Sequence, residues 1–79
     1  MMNVDVLLER ALSEVKLLKE EEIFLVKDLF KGYEWNRIPV KDRLLLGTLF
    51  LHEVHKEKVP VLAVEKTSSH QQRYQRISG

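Results

Sequence analysis

No cysteine occurs among the 79 residues of this chain, and that absence constrains the fold more than any motif does. Neither a disulfide nor a thiolate metal site can staple the structure. A chain of this length buries only about 60% of the surface its unfolded form exposes. Its stability therefore rests on one hydrophobic core, helped by tight helix packing or by dimerisation. The material is present: 44% of the residues are hydrophobic and 32% charged, with three Gly and two Pro, a balance that argues against disorder and low-complexity sequence. The whole chain, 1–79, reads as a single domain. Thirteen basic and twelve acidic residues leave a formal charge of +1, so no global field draws it to nucleic acid or to an acidic partner.

Locally the charge is uneven. Residues 1–33 hold seven acidic and five basic side chains, and residues 55–79 hold two acidic and five basic, which makes the C-terminal tail the positive end. The longest uncharged run, Leu44 to His52, has nine residues, against the roughly 20 that a membrane-spanning helix needs. The first residues lack a basic segment followed by an apolar one, so no secretory signal is expected. A soluble protein of the cytoplasm, with no membrane partner, is the expectation.

Hydrophobic periodicity supplies the elements. Val4, Leu7, Leu8, Ala11, Val15 and Leu18 follow the spacing of an amphipathic helix from Asn3 to about Lys19, within an N-terminal segment 1–20. Ile23-Phe24-Leu25-Val26 is short, β-branched and aromatic, and predicts a strand. Lys27 to Phe30 predicts the start of a short helix, stopped at Gly32 in a left-handed C-cap conformation. Ile38-Pro39 marks a new helix start, with proline in its first turn. That central helix is expected to run to Lys56 or Lys58 and to bury one stripe, Val40, Leu44, Gly47, Leu51 and Val54, widened by Leu46, Leu49 and Phe50. Gly47 in mid-helix predicts a close backbone approach, within the core or across a dimer axis. Val59 to Val64, the turn residues Thr67 to His70, and Gln71 to Ile77 predict a terminal β-hairpin with one solvated face.

This α+β order, with an N-terminal helix, a central helix and a C-terminal β-hairpin, is that of a small winged helix-turn-helix domain, in which the first short strand pairs with the hairpin. The stretch from Phe24 to Ile38, with Asp28-Leu29-Phe30, Gly32 and Trp35, followed by Arg43 to Phe50 with Leu46-Gly47, resembles the small bacterial family DUF1413. The resemblance covers roughly residues 23–77, including Tyr74, and leaves the N-terminal helix outside. The family is one of unknown function, so the resemblance implies only a small cytoplasmic protein of bacterial, phage or plasmid origin. Taken physically, Trp35 is expected to lock its loop onto the core, and Asp28 to cap the short helix or to pair with Arg37 or Arg43.

No catalytic constellation is apparent, and an enzyme is not expected. His52-Glu53-Val54-His55 has its histidines three apart, where the zinc-protease motif has four, so neither a metal nor a cofactor is expected. Double-stranded DNA is the first expected partner: Lys66, Ser68, Ser69, His70, Gln72, Arg73 and Arg76 on the hairpin offer cations, hydroxyls and amides to phosphates, and Lys41 and Arg43 lie on the candidate recognition helix. The corresponding expectation is a DNA-binding transcription regulator acting as a homodimer, with Leu45 and Leu49 in the dimer interface. The alternative is a protein-interaction module or an inhibitor of a host protein, without nucleic-acid binding. In that case apolar positions on the central helix matter more than the basic tail.

Overall fold

A computed structural model describes residues 3–78. Helix α1, Val4–Val15, starts where the Asn3 side chain accepts a hydrogen bond from the Asp5 N–H at 2.8 Å, satisfying one of the amides that a helix N-terminus leaves unpaired. It buries Leu7, Ala11 and Val15 at four-residue spacing, the stripe expected of an amphipathic helix. The helix ends four residues earlier than the apolar spacing predicts. Its last amides switch to three-residue hydrogen bonds, Lys16 N–H to the Ser13 carbonyl and Leu17 N–H to the Glu14 carbonyl, and Arg76 Nε donates to the Val15 carbonyl at 3.2 Å from the far end of the chain.

Strand β1 is only Ile23–Phe24, shorter than the expected strand through Val26. The Asp28 carboxylate explains the difference. It accepts the Leu25 N–H at 2.9 Å and so turns the backbone into a 3-10 turn, Val26–Leu29, a capping role foreseen for Asp28. Gly32 departs from expectation: no described glycine has a positive φ, and Gly32 is the first residue of a further helix, α2, Gly32–Arg37. That helix is held at its start by Glu34. Its carboxylate accepts the Lys31 N–H at 3.1 Å and forms a two-pronged ion pair with Arg10 of α1, one prong at 2.7 Å. The Arg10 hydrogen bond, helped by the Lys31 amide, holds the Glu34 carboxyl below its ordinary pKa.

Helix α3, Val40–His55, begins directly after Pro39, whose carbonyl accepts the Asp42 and Arg43 amides at 2.9 and 3.0 Å. It ends in a backbone motif that ties off two carbonyls: Glu57 N–H donates to Val54 and Lys58 N–H to Glu53, at 3.0 and 3.3 Å. Glu57 sits there at φ 59°, a left-handed conformation that costs a residue with a Cβ about 1–2 kcal/mol. Glu57→Gly is expected to raise the unfolding temperature by about 4–8 °C for each kcal/mol relieved, and a thermal melt followed by circular dichroism checks it; an unchanged or lowered midpoint contradicts the assignment.

Strands β2, Val61–Lys66, and β3, Gln72–Arg76, form the expected hairpin. Its tip closes through Thr67, whose carbonyl accepts the His70 N–H at 2.9 Å and whose N–H donates to Gln71 at 2.8 Å. The sheet is antiparallel in the order β1-β3-β2, with Phe24 opposite Tyr74 and Ala63 opposite the same residue. Phe24, Phe50 and Tyr74 make the aromatic centre of the core: the Tyr74 ring lies 5.8 Å from Phe24 and 4.9 Å from Phe50, edge-on to the latter. Tyr74, set in an otherwise polar stretch of sequence, is among the most completely buried residues, and burial pushes its phenol up to about 12.

The orientation of α3 departs most from expectation. Its buried residues are Leu46, Phe50 and Val54, while Val40 and Leu44 of the expected stripe are 62% and 70% exposed. Leu46, Phe50 and Val54 are spaced by four, as Val40, Leu44 and Thr48 are, so periodicity alone admits either face. The aromatic partners decide it, because Phe50 fills the space between Phe24 and Tyr74. No described helix is long and apolar enough to cross a membrane.

Candidate functional site

Turning Leu46 and Phe50 inward leaves the other apolar flank of α3 facing the hairpin tip across an open groove of about 520 Å³. Val40, Leu44, Gly47 and Leu51 form its helical side, Lys66 and His70 to Gln72 its opposite side, and Leu25, Trp35 and Tyr74 also line it. Trp35 is half-buried and packs on Phe30, ring centres 5.9 Å apart, so the expected anchoring role holds while part of the indole borders the groove.

Gly47 owes its place here to space, and the expected close backbone approach is absent. A Cβ built on Gly47 meets no atom within 4 Å; the position opens into the groove that it lines. Gly47→Ala is therefore expected to stabilise the fold by about 1 kcal/mol, the ordinary difference between these residues inside a helix, in a urea titration. Destabilisation of that size contradicts an open position.

The lining of the groove contains Lys27, Arg43 and Lys66 and no carboxylate. Arg43 is held rigidly. Its Nε donates to the Ile38 carbonyl at 2.9 Å and its Nη2 to the Asn36 carbonyl at 3.3 Å, and the guanidinium lies 5.5 Å from the centre of the Trp35 ring. It thus ties α2 to α3 and leaves its charge beside the indole.

The cations foreseen as phosphate contacts divide into two groups. Lys41 and Lys66 are exposed and make no ion pair among the described residues. Arg73 is bound to Glu65, side chain to side chain at 3.0 Å and Nε to carbonyl at 3.3 Å. Arg76 is half-buried against the end of α1, donating to Val15 and also to the Ile77 carbonyl. Gln72 donates to the Val64 carbonyl and, at 3.0 Å, to that of Arg73. Ser68, Ser69 and His70 are exposed at the hairpin tip, where the Ser69 and Thr67 hydroxyls lie 3.0 Å apart and His70 has a left-handed φ of 66°. Of the nine, Arg43, Lys66, His70 and Gln72 come together in the lining of the groove, Lys41, Ser68 and Ser69 are exposed outside it, and Arg73 and Arg76 are engaged by Glu65 and Val15. Leu45 is exposed and Leu49 half-buried, and neither borders the groove.

Sequence reasoning did not find the groove, because Val40 and Leu44 look like core until the face of α3 is known. The one available signal was an excess: α3 carries more apolar positions than one buried stripe uses.

A family model described as "Domain of unknown function (DUF1413)" matches residues 9–76. The match takes in α1 from Glu9 onwards, beyond the region 23–77 that the motifs indicated. No curated protein and no solved structure matches the chain.

Proposed function

Since the chain belongs to the DUF1413 family, whose description assigns no activity, its role has to be read from its geometry, and we propose that it is a non-catalytic protein-interaction module of winged-helix type that binds through the α3–hairpin groove. The finer fold reading rests on the element order and on the strand order β1-β3-β2. That order, with α3 directly before the hairpin, supports reading α3 as the recognition helix and the hairpin as the wing. The observation that carries the function is the chemistry of the exposed α3 flank. Val40 and Leu44 expose hydrocarbon, the half-buried Leu51 continues it along the groove, and hydrocarbon contributes little to phosphate contacts or to the hydrogen bonding that reads base edges. An exposed apolar cleft beside aromatic residues is the usual feature of a site for protein side chains.

A photo-crosslinking amino acid at Thr48, on the exposed side of α3 and in the groove lining, tests this in the cells that make the protein. The expected result is a discrete protein adduct that Gly47→Leu removes and that purified components reproduce. Adducts formed equally well from the exposed His52, outside the groove lining, contradict the groove as the site. A homodimer through Leu45 and Leu49 fits the same reading, because that flank leaves the groove open.

DNA binding is a second reading, favoured by the winged arrangement together with exposed Lys41 and Lys66. Labelled duplex DNA separates the two. Micromolar binding at low salt, with a salt dependence that flattens in Lys41→Ala/Lys66→Ala, establishes the DNA reading. No binding at low salt removes it.

A further inference from the structure

Resting on the groove as a protein-binding face, we infer that its occupant is an acidic amphipathic helix of a partner protein. Two features of the groove select that chemistry. The first is spacing. Val40, Leu44, Gly47 and Leu51 run along α3 at intervals of four, three and four residues, one apolar line about 16 Å long at 1.5 Å per residue. A line of that length and regularity matches about three turns of a helix laid alongside, which inserts anchors at i, i+3 or i+4, and i+7. Gly47 supplies the depth, because nothing within 4 Å occupies the position of its missing Cβ. An anchor side chain can therefore reach the α3 backbone there.

The second feature is charge. Lys27 and Lys66 are exposed, Arg43 is fixed by its two backbone hydrogen bonds, and no Asp or Glu is among the lining residues. The chain as a whole is almost neutral, so this local field is made by placement. A helix whose apolar stripe enters the groove brings its flanking positions alongside these cations, where carboxylates gain and ammonium groups are repelled. Duplex DNA supplies the negative charge without the apolar stripe, and a basic helix supplies the stripe without the charge; only the acidic amphipathic helix matches both.

The test is selection from a phage-displayed library of 16-residue random sequences against the full chain, followed by affinity measurement on synthetic peptides from the enriched sequences. The expected result is net negative peptides with apolar residues at i, i+3 or i+4, and i+7. Their affinity should fall about tenfold or more in Gly47→Leu and in Lys27→Glu/Lys66→Glu, and should weaken as salt is raised. Gly47→Leu puts a good helix former at an open position, and the lysines are exposed, so melts of both variants should match or exceed that of the parent. Groove-dependent peptides that are neutral or basic overturn the inference and leave the interaction module standing. If no enriched peptide is sensitive to Gly47→Leu, the groove is no protein site and the module reading fails with it. Should light scattering show a dimer that Gly47→Leu dissociates, the occupant is a second copy of this chain, and the acidic partner helix is again overturned.

Discussion

Phe50→Ala is expected to remove a large part of the protein's stability, about 3–5 kcal/mol, while Leu44→Ala, six residues earlier on the same helix, changes stability by less than about 1 kcal/mol. Phe50 is fully buried between Phe24 and Tyr74, and truncating such a residue typically costs about 3–5 kcal/mol in lost transfer energy and cavity formation. A domain of this size has only about 4–12 kcal/mol of total stability, so the loss takes a large part of it. Leu44 is 70% exposed, and shortening it removes little area from the folded interior. Urea titrations of the two variants by circular dichroism make the comparison. Similar losses for both contradict the orientation of α3 described above.

The second large effect is expected in alkali. Tyr74 lies in the core with its phenol raised from 10 to about 12 by burial. A raised folded-state value means that the neutral phenol is favoured by folding. The stabilisation is fully present below pH 10, where the unfolded phenol is also neutral, and is lost as pH rises from 10 through about 12. The difference is worth roughly 2–3 kcal/mol. Unfolding free energy measured between pH 8 and pH 12 should therefore drop steeply in the parent protein. In Tyr74→Phe that drop should be reduced by the same amount, because the phenol is gone and the ring packing is kept. Equal drops in the two proteins contradict a buried Tyr74.

Much of this fold is legible in the sequence, for local reasons. The stripe of α1, the start of α3 after Ile38-Pro39, and the hairpin with its Thr67 to His70 tip all follow from periodicity and turn chemistry that act within a few residues. The misplaced features depend on contacts between distant segments. Arg76 reaches the carbonyl of Val15 across 61 residues of chain and helps to stop α1 early. Arg10 holds Glu34 from 24 residues away, supporting a six-residue helix that propensity alone does not announce. Tyr74 becomes core because β3 lies between β1 and β2, opposite Phe24.

The site was less legible than the fold. Lys41, Lys66, Ser68, Ser69 and His70 are surface residues, as a binding role requires, yet Arg73 and Arg76 are engaged by Glu65 and Val15. Composition counts those two arginines as free charge, whereas the structure gives them partners. The groove depends on the side on which α3 turns its surplus apolar residues, and that is set by Phe24 and Tyr74, which lie 26 residues before and 24 after Phe50.

The direction in which α3 faces is thus the premise of the whole functional reading. It can be observed directly. In protein carrying 13C-labelled leucine methyl groups, a soluble gadolinium chelate broadens resonances according to their distance from solvent. Strong broadening is expected at Leu44, 70% exposed, and none at Leu46, 0% exposed. Protection of Leu44 with broadening of Leu46 means that α3 is turned the other way and that the groove does not exist.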